Sequence, residues 1–265
     1  MTELESYHPK VRVEREDLIT TVTLDAPATK NSCTAGMWVA LGRIFRDLAY
    51  SGTRAIILTG AGGEFCAGAD LTGGGEEPGP PASMVDGMRV LADVVLAVHD
   101  CPVPVISKVD GVCVGAGLGL CLATDLTWCS DRARFSAIFA KRGLSLDFGT
   151  SWLLRERLGA NRAKEIAFTA KMVSAAEALD VGLVNAVVAV DELDQAVHEL
   201  AATIAGGPPG AISMMKRQLD NASGVSLAQA LETEALAQGV NVTTHDMREA
   251  LTAFAERRQP RFEGR

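Results

Sequence analysis

The chain has 265 residues with 33 acidic and 25 basic side chains, a formal charge of −8, and 48% hydrophobic against 22% charged residues. That balance belongs to an ordinary globular protein, and it disfavours nucleic acid and anionic membranes as partners, because both select a basic face. No run approaches the roughly 18 apolar residues of a membrane span, and the length places the chain between one and two domains.

In chain order, MTELESYHPK carries acidic residues and no apolar stretch, so no signal peptide is expected. Two alternating segments, Val11 to Glu16 and Leu18 to Leu24, read as an antiparallel opening pair. A helix is expected to start within Asn31 to Thr34 and run to about Tyr50. The short apolar run RAIILTG, Arg54 to Gly60, reads as a buried strand closed by glycine. The stretch GGGEEPGPPAS, Gly73 to Ser83, cannot pack a core and reads as a mobile flap. A helix from Ser83 to His99 and a buried strand from Val103 to Val109 follow, then strands at Asp125 to Cys129 and Ala133 to Ser136. Strand, helix, strand at this spacing predicts right-handed crossovers and an α/β architecture.

After Gly149 the pattern turns helical. Ser174 with Glu177 reads as a capping box, Gly182 as a stop, and Asp191 as the opening of a helix towards Ala205. GGPPG, Gly206 to Gly210, is the linker candidate, which divides the chain into residues 1–205 and a helical region 206–265. The basic tail Arg257, Arg258, Arg261 and Arg265 reads as a solvated end. The six cysteines, Cys33, Cys66, Cys101, Cys113, Cys121 and Cys129, form no CxxC pair and no zinc spacing, which predicts buried free thiols in a reducing cytoplasm.

Several chemistries are eliminated by motif. HExxH and a Gly-Lys phosphate loop are absent, and Ser151 in GTSWL lacks the second glycine of a nucleophile elbow. His8, His99, His198 and His245 have no serine and acid at catalytic spacing. GAGLGL, Gly115 to Leu120, fails the GxGxxG count because Leu120 stands where the last glycine belongs. Two features remain. FCAGADL, Phe65 to Leu71, and VGAG, Val114 to Gly117, are small-residue turns after consecutive strands. Such turns can bring two backbone N–H donors together as an oxyanion hole.

These two turns, the RAIILTG strand before them, PATKN (Pro27 to Asn31), SAAEALDVGLVNAVV (Ser174 to Val188) and REALTAFAERRQPRF (Arg248 to Phe262) resemble the crotonase superfamily, the enoyl-CoA hydratase/isomerase fold. The resemblance covers essentially the whole chain. It implies an α/β core of repeated ββα units, a helical C-terminal trimerisation region, and assembly as a trimer or a dimer of trimers. It also implies an acyl-CoA thioester as substrate, with coenzyme A belonging to the substrate and no separate cofactor or metal. By resemblance, the N–H groups of Ala67 and Ala116 would hold the thioester oxygen; relatives often have glycine where Ala116 stands. Lys30, Asp70, Leu71 and Gly115 would line the thioester groove, and Phe254 and Arg257 would reach the nucleotide end from a neighbouring subunit. Surface and packing readings of Lys30 and Phe254 stand beside these. Gly73 to Ser83 and Met84 to Met88 would shape the acyl pocket.

Superfamily membership leaves the reaction open, because carboxylates set it. Where hydratases of this fold carry two glutamates, this chain reads Gly119 and Phe139. Hydration needs one group to activate water and another to manage the second proton, so an isomerase is expected instead. Asp147, in GLSLDFGTSW between apolar Leu144, Leu146 and Phe148, is the candidate base; its duller reading is the N-cap of the helix that follows. This segment is closest to the branch holding the phenylacetate-pathway ring-expanding isomerase and Δ3,Δ2-enoyl-CoA isomerases. A hydratase using another acid, and an acyl-CoA-binding protein without catalysis, remain the alternatives.

Overall fold

A computed structural model describes residues 7–71 and 83–265. It is a mixed α/β fold built on two sheets. The opening pair is β1 (Val11–Glu16) and β2 (Ile19–Leu24), antiparallel in register from Val11 opposite Leu24 to Glu16 opposite Ile19. After α1 (Ala35–Leu48) comes β3 (Ala55–Gly60), and after α2 (Met84–His99) come β4 (Val105–Val109) and the three-residue β5 (Val112–Val114). The short α3 (Ala116–Leu122) leads to β6 (Leu126–Ser130) and β7 (Arg134–Ser136). Then follow α4 (Thr150–Thr169), β8 (Val173–Ser174), α5 (Ala175–Asp180), β9 (Ala186–Val188) and α6 (Leu193–Ala205). Three helices finish the chain: α7 (Pro209–Asn221), α8 (Leu227–Asn241) and α9 (His245–Glu256).

The main sheet runs β1-β2-β3-β4-β6-β9, parallel throughout except for the opening pair, and β5-β7-β8 form a second small sheet. Parallel strands need both faces covered, and β3 shows how the sequence provides for this. Ile56 and Leu58 enter one core with α1, α2 and α3, while Ala55 and Ile57 pack with Leu193, Val197 and Ala201 of α6 on the other face.

The expected strands and helices are found with ends shifted by one or two residues, and four differences have physical causes. The helix expected after Gly149 runs from Thr150 to Thr169, with a break at Gly159 (φ 73°) after which the chain resumes helical geometry. The capping box at Ser174 is half made: its hydroxyl accepts from the Glu177 N–H at 3.3 Å, while the Glu177 carboxylate pairs with Lys171 at 2.9 Å. The helix expected from Asp191 begins at Leu193. Gly206 to Gly210 is shorter as a connection than its composition suggests, since Pro209 already opens α7. All six cysteines are free and buried. No helix among the described residues is long and apolar enough to cross a membrane. The flap stretch at Gly73 falls outside the described residues.

Candidate active site

The first turn of the site is held by the last residue of PATKN, to which motif reading assigns no role. Asn31 is fully buried at φ 55°, a left-handed conformation that asparagine tolerates better than most side chains. Its Oδ1 accepts from the Ala26 N–H (2.9 Å), and its Nδ2 donates to the carbonyls of Ala61 (2.8 Å) and Glu64 (2.6 Å). This ties the segment before α1 to the segment after β3. Backbone bonds then extend the join. The Ala67 N–H donates to the Lys30 carbonyl (2.9 Å), the Cys33 N–H to Gly68 (2.8 Å), and the Asp70 N–H to Cys33 (2.9 Å).

These bonds correct one assignment. The Ala67 N–H is already given to Lys30, so it has no proton left for a thioester oxygen. Ala69, two residues on, pairs with Cys33 as a parallel bridge whose bonds are made by Gly68 and Asp70. In that pattern the N–H of Ala69 faces the opposite side. Ala69 is exposed, and its N–H has no acceptor among the described residues. A backbone donor carries no side-chain signature, so the sequence offers no means of choosing between the two alanines of Ala67-Gly68-Ala69.

The second turn follows β5. Cys66 bridges to Cys113, with the Cys66 N–H donating to Val112 (2.9 Å) and the Val114 N–H to Cys66 (3.0 Å), which fixes the two turns against each other. Gly115, at φ 58° and ψ −129°, swings the chain into α3, so Ala116 is its first residue, with an N–H that no helical carbonyl can accept. The turns nearly touch at Gly68. A Cβ there would lie 3.4 Å from the Ala116 nitrogen and 3.0 Å from the Val114 carbonyl oxygen. The N–H groups of Ala69 and Ala116 therefore occupy adjoining backbone, as a site for a developing oxyanion requires.

Asp147 lies in the loop before α4. It is not the helix cap: Gly149 takes that position, with no side-chain capping bond. Its Oδ1 is buried with no hydrogen-bond partner, and burial pushes its carboxyl above the usual carboxylate range. Of the three apolar neighbours, Phe148 is buried and Leu146 half-buried, whereas Leu144 is 55% exposed. The loop meets α3 one turn beyond Ala116. A Cβ on Gly119 would come within 2.5 Å of the Phe148 carbonyl oxygen, 2.9 Å of the Phe148 Cβ and 3.0 Å of the Thr150 hydroxyl. The place where a residue-119 side chain would start is thus filled by the segment that carries Asp147. Phe139, at the second expected acid position, is buried at 5% exposure in the core.

The remaining candidates divide. Lys30, at φ 52°, has an exposed side chain whose ammonium pairs with Glu64 at 2.9 Å. Asp70 and Leu71 continue the first turn, and Leu71 is 77% exposed. Phe254 (85% exposed) and Arg257, which closes α9 in a left-handed conformation, stand at the far C-terminal end. Among the described residues no cluster of three or more His, Cys, Asp or Glu is placed to hold a metal ion.

A six-stranded, mostly parallel sheet with two adjoining backbone-donor turns defines a crotonase-fold protein, and comparisons with known proteins bear this out. The enoyl-CoA hydratase/isomerase family profile matches residues 14–265. The chain is 34% identical over 261 residues to a probable enoyl-CoA hydratase of Rhodobacter capsulatus, covering 98% of this chain and 100% of that one. It is 33% identical to the 1,2-epoxyphenylacetyl-CoA isomerase of Escherichia coli, covering 93% and 95%. The crystal structure of a putative enoyl-CoA hydratase from Streptomyces coelicolor superposes with a TM-score of 0.91 at 33% identity, covering 98% and 96%. The chain belongs to the enoyl-CoA hydratase/isomerase family of the crotonase superfamily.

Proposed function

We propose that the protein is an acyl-CoA isomerase that moves a double bond from C3–C4 to C2–C3 of an enoyl thioester. Asp147 takes a proton from C2, the N–H groups of Ala69 and Ala116 hold the charge that moves onto the thioester oxygen, and the same carboxyl returns the proton at C4. One carboxylate suffices for this proton balance, whereas hydration asks for two managed protons. The observation that carries the reading is the loop at Asp147. It presents a carboxylate raised by burial and without a hydrogen bond, and it fills the space beside Gly119 that a hydratase glutamate would need. Lys30, Asp70, Leu71 and Gly115 border the thioester end of this site.

Two substrates test the reaction. With 3-hexenoyl-CoA the conjugated-thioester absorbance is expected to rise, at a rate at least ~100-fold above the loss of absorbance with crotonyl-CoA. Rapid bleaching of crotonyl-CoA would establish a hydratase instead, and calorimetric binding of both thioesters with no conversion would establish a non-catalytic acyl-CoA-binding protein.

We also propose that the cytoplasmic protein assembles as a trimer through its C-terminal helices, with Phe254 and Arg257 meeting a neighbouring subunit. Along α8, Leu227, Leu231, Leu236 and Val240 are 75%, 54%, 66% and 50% exposed, and α9 adds Leu251 and Phe254. With 3.6 residues per turn, Leu227 and Leu231 lie on one side of α8 and Leu236 and Val240 on the other, and apolar side chains exposed on both faces favour burial against other copies. Light scattering is expected to give three chain masses, or six for paired trimers; a monomer at micromolar concentration overturns the assembly.

A further inference from the structure

We propose that Trp38 is a positioning residue for Asp147, and that the segment Lys30 to Trp38 sets the oxyanion turns and the base loop as one unit. The inference rests on the reading of Asp147 as the base. Asp147 has no side-chain hydrogen bond to orient its buried Oδ1, so the backbone that carries it must do so. That backbone is unusual. Phe148 has φ 51°, and Gly149 after it has φ 73°. A bulky residue held at positive φ costs on the order of 1 kcal/mol or more and persists only where its surroundings enforce it.

The turn is closed by the Thr150 N–H donating to the Asp147 carbonyl (2.9 Å), and two packing contacts hold it in place. The Phe148 carbonyl and Cβ lie against Gly119 of α3, which leaves that side no room to relax. On the other side the Phe148 ring packs on Trp38 of α1, with centroids 4.5 Å apart and planes tilted by 45°; the two residues are 4% and 2% exposed. Aromatic pairs at this separation attract beyond the area they bury. Trp38 stands one turn into α1, just beyond the Thr34 cap, whose hydroxyl accepts from the Met37 N–H. Directly before that cap, Lys30 and Cys33 make the backbone bonds that fix Ala67, Gly68 and Asp70. Nine consecutive residues therefore touch both halves of the site, the donor turn through main chain and the base loop through one indole ring.

The test measures turnover of 3-hexenoyl-CoA, its pH dependence and KM in Trp38→Met and Trp38→Phe, with Asp147→Asn alongside. Trp38→Met is expected to lower kcat by roughly 10- to 100-fold, the penalty of a base displaced by about an ångström, with KM within twofold. Its acidic limb is expected to move down towards the ordinary carboxylate range as water reaches Asp147. Trp38→Phe keeps a ring against Phe148 and is expected to stay within about threefold of the parent rate. If Trp38→Met does not fold, Phe148→Leu removes the other ring of the pair and is read the same way. Unchanged kcat and pH limb in a folded ring-less variant, beside an inactive Asp147→Asn, overturns the positioning role and leaves the base in place. A change in KM alone, or a Trp38→Phe as damaged as Trp38→Met, overturns it too. Full turnover in Asp147→Asn overturns the base reading and the positioning with it.

Discussion

Asp147→Asn is expected to lower isomerisation of 3-hexenoyl-CoA by on the order of 1,000-fold while thioester binding stays within about twofold, because general-base catalysis of this kind supplies between 100- and 10,000-fold. The side chain has no hydrogen bond to lose at its buried Oδ1, and an amide there is close to isosteric. Structure and binding are therefore expected to survive, and the loss falls on the proton transfer. In the parent enzyme kcat requires the ionised carboxylate. Burial raises the Asp147 pKa, so the acidic limb of the kcat profile is expected above the usual carboxylate range. Stability follows the same shift with a definite sign. A carboxyl whose folded pKa lies above its unfolded value binds its proton more tightly when folded. It therefore favours the native state at low pH, and that advantage is lost as pH climbs through the raised value. At neutral pH the ionised Asp147 is a cost, and the asparagine variant is expected to melt at the parent temperature or slightly above it. A variant that is inactive, binds thioester and is no less stable identifies a group kept for chemistry. One that melts several degrees lower would make Asp147 structural, and one with full turnover would remove it from the mechanism.

How much of this could be read before the structure depends on what each feature asks of side chains. β1 and β3 are legible because alternation and an apolar run mark them, whereas the bond by which Ser83 caps α2, accepting from the Asp86 N–H (3.2 Å), is seen only in the structure. β5 and β9 have three residues each, too few for any periodicity, and their places are set by pairing with β7 and β6. Asp147 stood out as a carboxylate among apolar neighbours, but only the Gly149 cap removes its helix-capping alternative. The turn Phe65 to Leu71 is visible in the sequence, but which of its N–H groups is free is not, because that depends on which carbonyls its neighbours engage. Asn31 is visible in PATKN but its role is not, for a related reason: its three bonds go to backbone groups up to 33 positions away, which leave no pattern around it. The contact of Trp38 with Phe148 joins α1 to the loop before α4 and leaves no local trace at all.

Gly119 is where sequence and packing meet most directly. Restoring a hydratase-like acid by Gly119→Glu, alone or with Phe139→Glu, is expected to yield no rapid hydration of crotonyl-CoA. The first side-chain carbon at 119 would sit 2.5 Å from the Phe148 carbonyl oxygen, an approach that real Cβ atoms do not make. That oxygen is main chain in a loop already held at positive φ, so it cannot swing aside as a flexible side chain would. Even Gly119→Ala is expected to destabilise the fold by about 1–3 kcal/mol, the usual cost of forcing extra volume into a closed contact. Whatever movement relieves the clash passes through Phe148 to Asp147, so isomerase turnover in Gly119→Ala is expected to fall by roughly 10- to 100-fold. Urea unfolding and turnover of 3-hexenoyl-CoA and crotonyl-CoA on the alanine and glutamate variants read all three effects. An unchanged urea midpoint together with fast hydration by Gly119→Glu would mean that the loop yields freely. The glycine would then be no barrier to hydration, and the exclusion would have to come from the buried Phe139 instead. If the midpoint falls and hydration stays absent, one missing carbon atom accounts for two properties at once. It removes the acid that hydration needs, and it gives Phe148 the space in which it holds Asp147.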